Sequence, residues 1–261
     1  MKLKFLELKN DYAKILFENT KPYFVNAIRR TLISDIPKLA IENVTIYENT
    51  SALFDEIIAH RLAMIPLPTH LDLLVFRKEC NCNGKGCPSC TVHYNLSKEG
   101  ECVVYSGDLR AEDPMWAVKD KNIPIVKLLK NQRLILEAEA ELGTGKEHAK
   151  WQVVNGIGYK YYPVIEIDNE KCNLCNECVE ICPRNVLEIK RKKLKVKNIE
   201  NCTLCKSCIE VCKKGAIKVR GDETRIIMQY ETDGSLTAKE ALKEALKILY
   251  KKYDELKKEL I

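Results

Sequence analysis

Cys172-Asn-Leu-Cys175-Asn-Glu-Cys178-Val-Glu-Ile-Cys182-Pro183 sets four thiols apart by two, two and three residues. Three thiolates spaced this closely on a looped backbone reach three irons of one cubane, while a fourth that opens a short helix faces away from them. The spacing returns in Cys202-Thr-Leu-Cys205-Lys-Ser-Cys208-Ile-Glu-Val-Cys212, with Lys213 where the first run has Pro183. Structural zinc on eight thiolates is the competing reading, but zinc sites rarely repeat such a four-cysteine run. Iron is therefore expected, and the segment that carries it reads as a small two-fold repeat.

The first run matches the pattern of bacterial ferredoxins at every position. In ferredoxins the fourth cysteine of each run completes the other cluster. That arrangement implies one 4Fe-4S set of Cys172, Cys175, Cys178 and Cys212 and a second of Cys202, Cys205, Cys208 and Cys182, with 3Fe-4S at one site left open. Between the runs, Val186-Leu-Glu-Ile-Lys-Arg-Lys-Lys-Leu-Lys-Val-Lys alternates apolar and charged residues about a basic turn, as a short hairpin does. Residues 166–221 hold thirteen Lys and Arg against eight Asp and Glu, +5 of the chain's formal +6. Two clusters of roughly −2 each, thiolates included, nearly cancel that excess. The charge balances metal before it argues for nucleic acid, and a DNA contact through residues 190–197 is the weaker reading.

Five cysteines remain of thirteen in the 261 residues. Cys80, Cys82, Cys87 and Cys90 sit in a glycine-rich loop where flexible spacers let four sulfurs converge, so structural zinc is expected, with a disulfide pair or idle thiols as the alternatives. Cys102, alone in a strand pattern, reads as a core residue. The uneven count and tight clustering favour metal ligation over disulfides and hence a reducing, cytoplasmic setting. No apolar run approaches the ~20 residues a membrane helix needs, and charges interrupt anything like a signal-peptide core near the start.

About two hundred residues surround the repeat and need their own explanation. Phe24, Ile28 and Leu32 share one face of an amphipathic helix with Pro22 in its first turn and Pro37 beyond its end. A strand pattern follows at residues 41–47, then a helical period in Asp55-Glu-Ile-Ile-Ala-His-Arg-Leu-Ala-Met-Ile-Pro-Leu67. Arg29, Arg30, His60 and Arg61 read as pairing and capping residues, and no nucleophile and base stand together. Near the carboxyl end, Thr237-Ala-Lys-Glu240 is a capping box, and Leu242, Leu246, Leu249, Tyr253, Leu256 and Leu260 follow at spacings of four and three. A helix of about 24 residues spans ~36 Å, too long for a small domain to cover alone.

Three segments carry a resemblance to a known family: Phe24-Val-Asn-Ala-Ile-Arg-Arg-Thr-Leu-Ile-Ser-Asp-Ile-Pro37, the stretch from Asp55 to Leu67, and Leu142-Gly-Thr-Gly-Lys-Glu-His-Ala-Lys-Trp151. Together they resemble the archaeal RNA polymerase subunits that are related to the amino-terminal region of the bacterial alpha subunit and to the third-largest subunit of eukaryotic polymerase II. The resemblance implies an α+β fold in three parts. Residues 1–40 with 223–261 would form a discontinuous dimerisation domain, 41–165 a mainly β insert domain, and 166–222 the ferredoxin-like domain. It also implies a non-catalytic assembly platform that pairs with subunit L through Phe24, Ile28, Leu32, Leu242, Leu246, Leu249, Tyr253 and Leu256. The small subunits N and P and the two large catalytic subunits would join it, with no sequence-specific DNA contact and no membrane. The principal alternative is a ferredoxin-type electron-transfer protein or the iron-sulfur subunit of a redox complex. Against it, no flavin or nicotinamide fingerprint accompanies the cysteines, and the long terminal seam has no use there.

Overall fold

The computed structural model describes residues 1–260. The chain opens with β1 (Lys2–Leu8) and β2 (Tyr12–Glu18), helix α1 (Pro22–Ser34), β3 (Pro37–Asn49) and α2 (Asp55–Ala63). A run of strands follows: β4 (Thr91–Glu99), β5 (Cys102–Tyr105), β6 (Arg110–Ala111), β7 (Pro124–Leu128), β8 (Arg133–Thr144) and β9 (Val154–Ile167). The cysteine repeat contributes α3 (Glu177–Glu180), β10 (Leu187–Lys190), β11 (Lys193–Val196) and α4 (Ser207–Glu210). The long strand β12 (Ile217–Thr232) and helix α5 (Ala238–Glu259) end the described chain. Antiparallel sheets with a few helices set between their strands make an α+β arrangement.

By compactness the chain forms two units: residues 1–6, 14–26 and 158–229 make one, and 7–13, 27–157 and 230–261 the other. The expected three-part division separates residues 1–40 and 223–261 from the iron-sulfur segment. One sheet has the strand order β1-β2-β12-β9. Its strand β12 runs for sixteen residues.

The larger unit holds the sheet of order β3-β8-β4-β6 and the pair β5-β7. In β8, Leu134, Leu136, Ala138, Ala140 and Leu142 are buried at every second residue and meet Leu39, Ile41, Val92, Tyr94 and Leu96 in one core. Helix α2 adds Ile58 and Leu62, and the Arg61 guanidinium donates to the Ile125 carbonyl at 2.6 Å. Cys102 pairs with Leu128 at the edge of this core and is half-buried, less enclosed than its sequence pattern indicates.

The segment after β8 has a packing reason for nearly every residue. A Cβ on Gly143 would fall 2.3 Å from the Trp151 ring, and one on Gly145 would fall 2.3 Å from the Ile33 carbonyl oxygen. Glu147 accepts from the Thr144 amide at 2.9 Å, and the His148 Nδ1 accepts from the Lys150 amide at 3.1 Å. Lys150, nearly buried, donates to the Ile41 carbonyl at 3.0 Å, pairs with Glu42 and lies 4.3 Å from the centre of the Trp151 ring.

Helix α5 begins with the expected capping box. The Thr237 hydroxyl accepts from the Glu240 amide at 3.2 Å, and the Glu240 carboxylate accepts from the Thr237 amide at 3.0 Å. Ala238, Ala241, Leu242 and Ala245 are buried, and Lys252 pairs with Asp35 at 2.5 Å, tying the helix to the residue after α1.

Two outcomes test this packing. Gly145→Ala should lower stability by about 1–3 kcal/mol in chemical denaturation, because the atom it meets is backbone, whereas Gly158→Ala, with nothing within 4 Å of its added carbon, should be near neutral. Bonds from the Thr237 hydroxyl and amide hold the Glu240 carboxyl below the ordinary glutamate range. Its stabilisation is therefore present above the unfolded-chain value and lost as pH falls through the lowered folded one. Thr237→Ala should cost about 1 kcal/mol at pH 7 and progressively less at acid pH.

Candidate metal centres and the exposed helix face

The two cysteine runs fold as near copies. Leu174 and Asn176 have φ of 58° and 68°, and Leu204 and Lys206 have 59° and 65°. Side-chain-bearing residues avoid this left-handed region unless the surroundings impose it, and here it curls each loop ahead of α3 and α4. The connecting segment forms the expected hairpin, Leu187 opposite Val196 and Lys190 opposite Lys193, with both Arg191 and Lys192 at positive φ in its two-residue turn. Leu187, Leu194, Ile217 and Val219 form the small core beneath it together with Cys178.

Each of two cavities gathers four sulfur-bearing residues across the repeat. One is lined by Cys172, Cys175, Cys178 and Cys212, the other by Cys182, Cys202, Cys205 and Cys208. The electrostatics divide the same way. Burial raises the Cys178 thiol, helped by Cys172, Cys175 and Cys212, and burial with Cys202, Cys182 and Cys205 pushes Cys208 up to about 11. The Ser207 backbone and hydroxyl, by contrast, lower Cys205. Backbone amides already point at sulfur: Val186 to Cys182 at 3.5 Å, Leu204 to Cys202 at 3.5 Å and Ala216 to Cys212 at 3.3 Å. Such N–H···S contacts stabilise cluster thiolates.

The loop at residues 80–90 differs in scale. Sγ–Sγ separations are 3.5 Å for Cys80 and Cys87, 3.6 Å for Cys82 and Cys90, and 3.8 Å for Cys87 and Cys90. A tetrahedral zinc site with bonds of about 2.3 Å has sulfur–sulfur edges of ~3.8 Å, so these four sulfurs surround room for one ion. Among the described residues no other three cysteines bring their sulfurs within 4.8 Å of one another. The eight in the repeat are therefore spread for something wider than a single ion. Burial pushes the Cys90 thiol up to about 12. Burial also opposes ionisation of Cys82, but donation from Cys80, the Gly86 amide and Cys90 outweighs it and holds that thiol at about 6.

Arg77 anchors this loop, a role the sequence did not signal. Its Nε donates to the Gly84 carbonyl at 2.9 Å, and its Nη1 bonds Glu139 and, at 3.1 Å, Glu141 on the outer face of β8. The only sequence cue was the alternation of Glu137, Glu139 and Glu141 opposite the buried stripe.

Of the residues expected at a partner surface, Ile28 and Leu32 are fully buried and Leu242 is 4% exposed, all within this chain's own packing. Sequence periodicity marks an apolar stripe without saying what covers it. Phe24 and Leu249 are half-buried, while Leu246, Tyr253 and Leu256 are exposed, as are Tyr250 and Leu260. The open apolar face is thus the carboxyl-terminal half of α5. No helix among the described residues is long and apolar enough to cross a membrane.

Comparison with known proteins accounts for both halves of this picture. Residues 43–169 match the RNA polymerase Rpb3/RpoA insert domain, and residues 171–216 match the 4Fe-4S dicluster domain. DNA-directed RNA polymerase subunit Rpo3 of Archaeoglobus fulgidus is 44% identical over 256 residues, covering 98% of this chain and 96% of that protein. The subunit Rpo3 of Methanosphaera stadtmanae is 44% identical with 98% and 97% covered, and that of Pyrococcus furiosus 37% identical with 100% and 97% covered. Similarity that covers nearly the whole of this chain and of each relative, with the polymerase insert-domain match inside it, places the chain in the Rpo3 family of archaeal DNA-directed RNA polymerase subunits.

Proposed function

We propose that the chain is a non-catalytic assembly platform of the polymerase, pairing with the small subunit L and, through that pair, seating subunits N and P and the two large catalytic subunits. The observation that carries this reading is the open half of α5. Tyr253 at 58% and Leu256 at 52% exposed continue the apolar line of a helix whose first half is buried. A ridge of this kind is what a partner helix covers. The discontinuous dimerisation domain, residues 1–40 with 223–261, belongs to the same reading.

The repeat holds two 4Fe-4S clusters in this account, one on Cys172, Cys175, Cys178 and Cys212 and one on Cys202, Cys205, Cys208 and Cys182. Bound there, they supply cross-links that fold the segment and centres able to change oxidation state. The loop of Cys80, Cys82, Cys87 and Cys90 holds a structural zinc ion, which the sulfur separations fit. Electron transfer as the main task has no comparable support, because the relatives named as polymerase subunits match along the whole chain.

Replacing Leu246 and Leu249 together with Asp should abolish co-purification with subunit L while iron content persists, since the substitution puts charge into the covered ridge and leaves the repeat untouched. Retained pairing would overturn the ridge. Cys82→Ser with Cys87→Ser should release about one zinc per chain and leave iron unchanged by elemental analysis. Zinc retained in that variant would remove the metal from this loop.

A further inference from the structure

The two cysteine loops are matched in spacing and in their left-handed turns, so a difference between their clusters has to come from the charged groups set around them. Exposed cations do not supply it. Lys213 and Lys214 line the first cavity, and Arg184 and Lys206 line the second, two on each side and all exposed, while the one carboxylate lining either cavity, Glu177 at the first, is exposed as well.

The asymmetry lies in what meets the backbone ahead of each run. Four residues before Cys172 stands Asp168, whose carboxylate accepts from the Glu170 amide at 3.1 Å and the Lys171 amide at 3.3 Å and pairs with the Lys171 ammonium at 3.0 Å. This is a locally neutral cap. Four residues before Cys202 the sequence has Asn198, and the loop is met instead by a cation from outside the repeat. Lys160, half-buried on β9, donates from Nζ to the Glu200 carbonyl at 2.6 Å and to the Cys202 carbonyl at 2.7 Å. Cys202 is itself one of the second cavity's cysteines. Lys14 and Arg184 line the same cleft of about 550 Å³ as Lys160. Glu200 lines this cleft too, and its carboxylate attracts Lys160 without forming an ion pair with it.

A fixed cation beside an iron-sulfur cluster favours the reduced, more negative state, and the effect is larger where water is excluded than at an exposed lysine. We propose that Lys160 is a positioning residue for redox poise: its ammonium, fixed on the Glu200 and Cys202 carbonyls, sets the cluster of Cys182, Cys202, Cys205 and Cys208 at a higher reduction potential than its partner cluster. Electrons entering the pair therefore settle at the second site. The inference rests on the two-cluster reading, which iron content of about eight per chain and the spin count of the reduced protein test by themselves.

The experiment is a redox titration of the iron-loaded chain followed by electron paramagnetic resonance. Wild-type protein should show two reduction waves, and Cys205→Ser should remove or alter the higher one. Lys160→Gln retains a hydrogen-bond donor for the carbonyls without the charge, and it should move the higher wave to lower potential while the lower wave stays in place. Lys160→Arg should restore the wild-type separation. A Lys160→Gln titration that matches wild type, or one in which both waves move together, overturns the proposal, as does assignment of the higher wave to the cluster of Cys172, Cys175, Cys178 and Cys212.

Discussion

Strands β9 and β12 lie side by side in one sheet, and that pairing fixes where the chain leaves for the cysteine repeat and where it returns. The Asp168 amide donates to the Ala216 carbonyl at 2.9 Å, closing the repeat at its base. A Cβ on Gly221 would fall 2.7 Å from the Tyr161 side chain, so the two strands approach more closely there than an alanine allows. With its ends held together, a segment of about fifty residues pays little further loop-closure entropy when its cysteines assemble. The same two strands carry Ile165, Ile217 and Val219 into the small core under the loops. The sheet thus seats both the metal segment and the cation that distinguishes its halves, since Lys160 projects from β9 itself.

The two groups of cysteines follow different physical rules. In the loop at residues 80–90, short spacers and positive φ at Asn83, Gly84 and Gly86 bend the chain until four sulfurs nearly touch, and Arg77 fastens the result to the glutamates of β8. Local chain geometry suffices there. In the repeat, each sulfur set draws its fourth member from the other run, so neither can form until both halves have folded against each other. Clusters bound there would couple their assembly to the folding of this segment.

Much of this was legible from residue spacing. The Thr237 and Glu240 box marks the start of α5, and the basic turn at Arg191 and Lys192 marks a hairpin. What stayed hidden was non-local. The period of Ile28, Leu32 and Leu242 does not reveal that their own chain covers them. Nor does anything near Lys160 in sequence point to Cys202, forty-two residues away.

The chain's charge makes sense only when these placements are combined. Most of its net +6 falls in the repeat, where thiolates and cluster cores would otherwise leave a negative lobe. Exposed lysines on the hairpin and beside each loop neutralise that lobe at long range and are screened by salt within about 10 Å. They keep the segment soluble without favouring one site. Discrimination between two clusters on matched loops requires a charge held at a fixed place close to one of them and less exposed to salt than the surface lysines. A half-buried lysine bound to two carbonyls of one ligand loop meets that requirement, and the opposite loop, capped by a carboxylate already paired with its own lysine, does not.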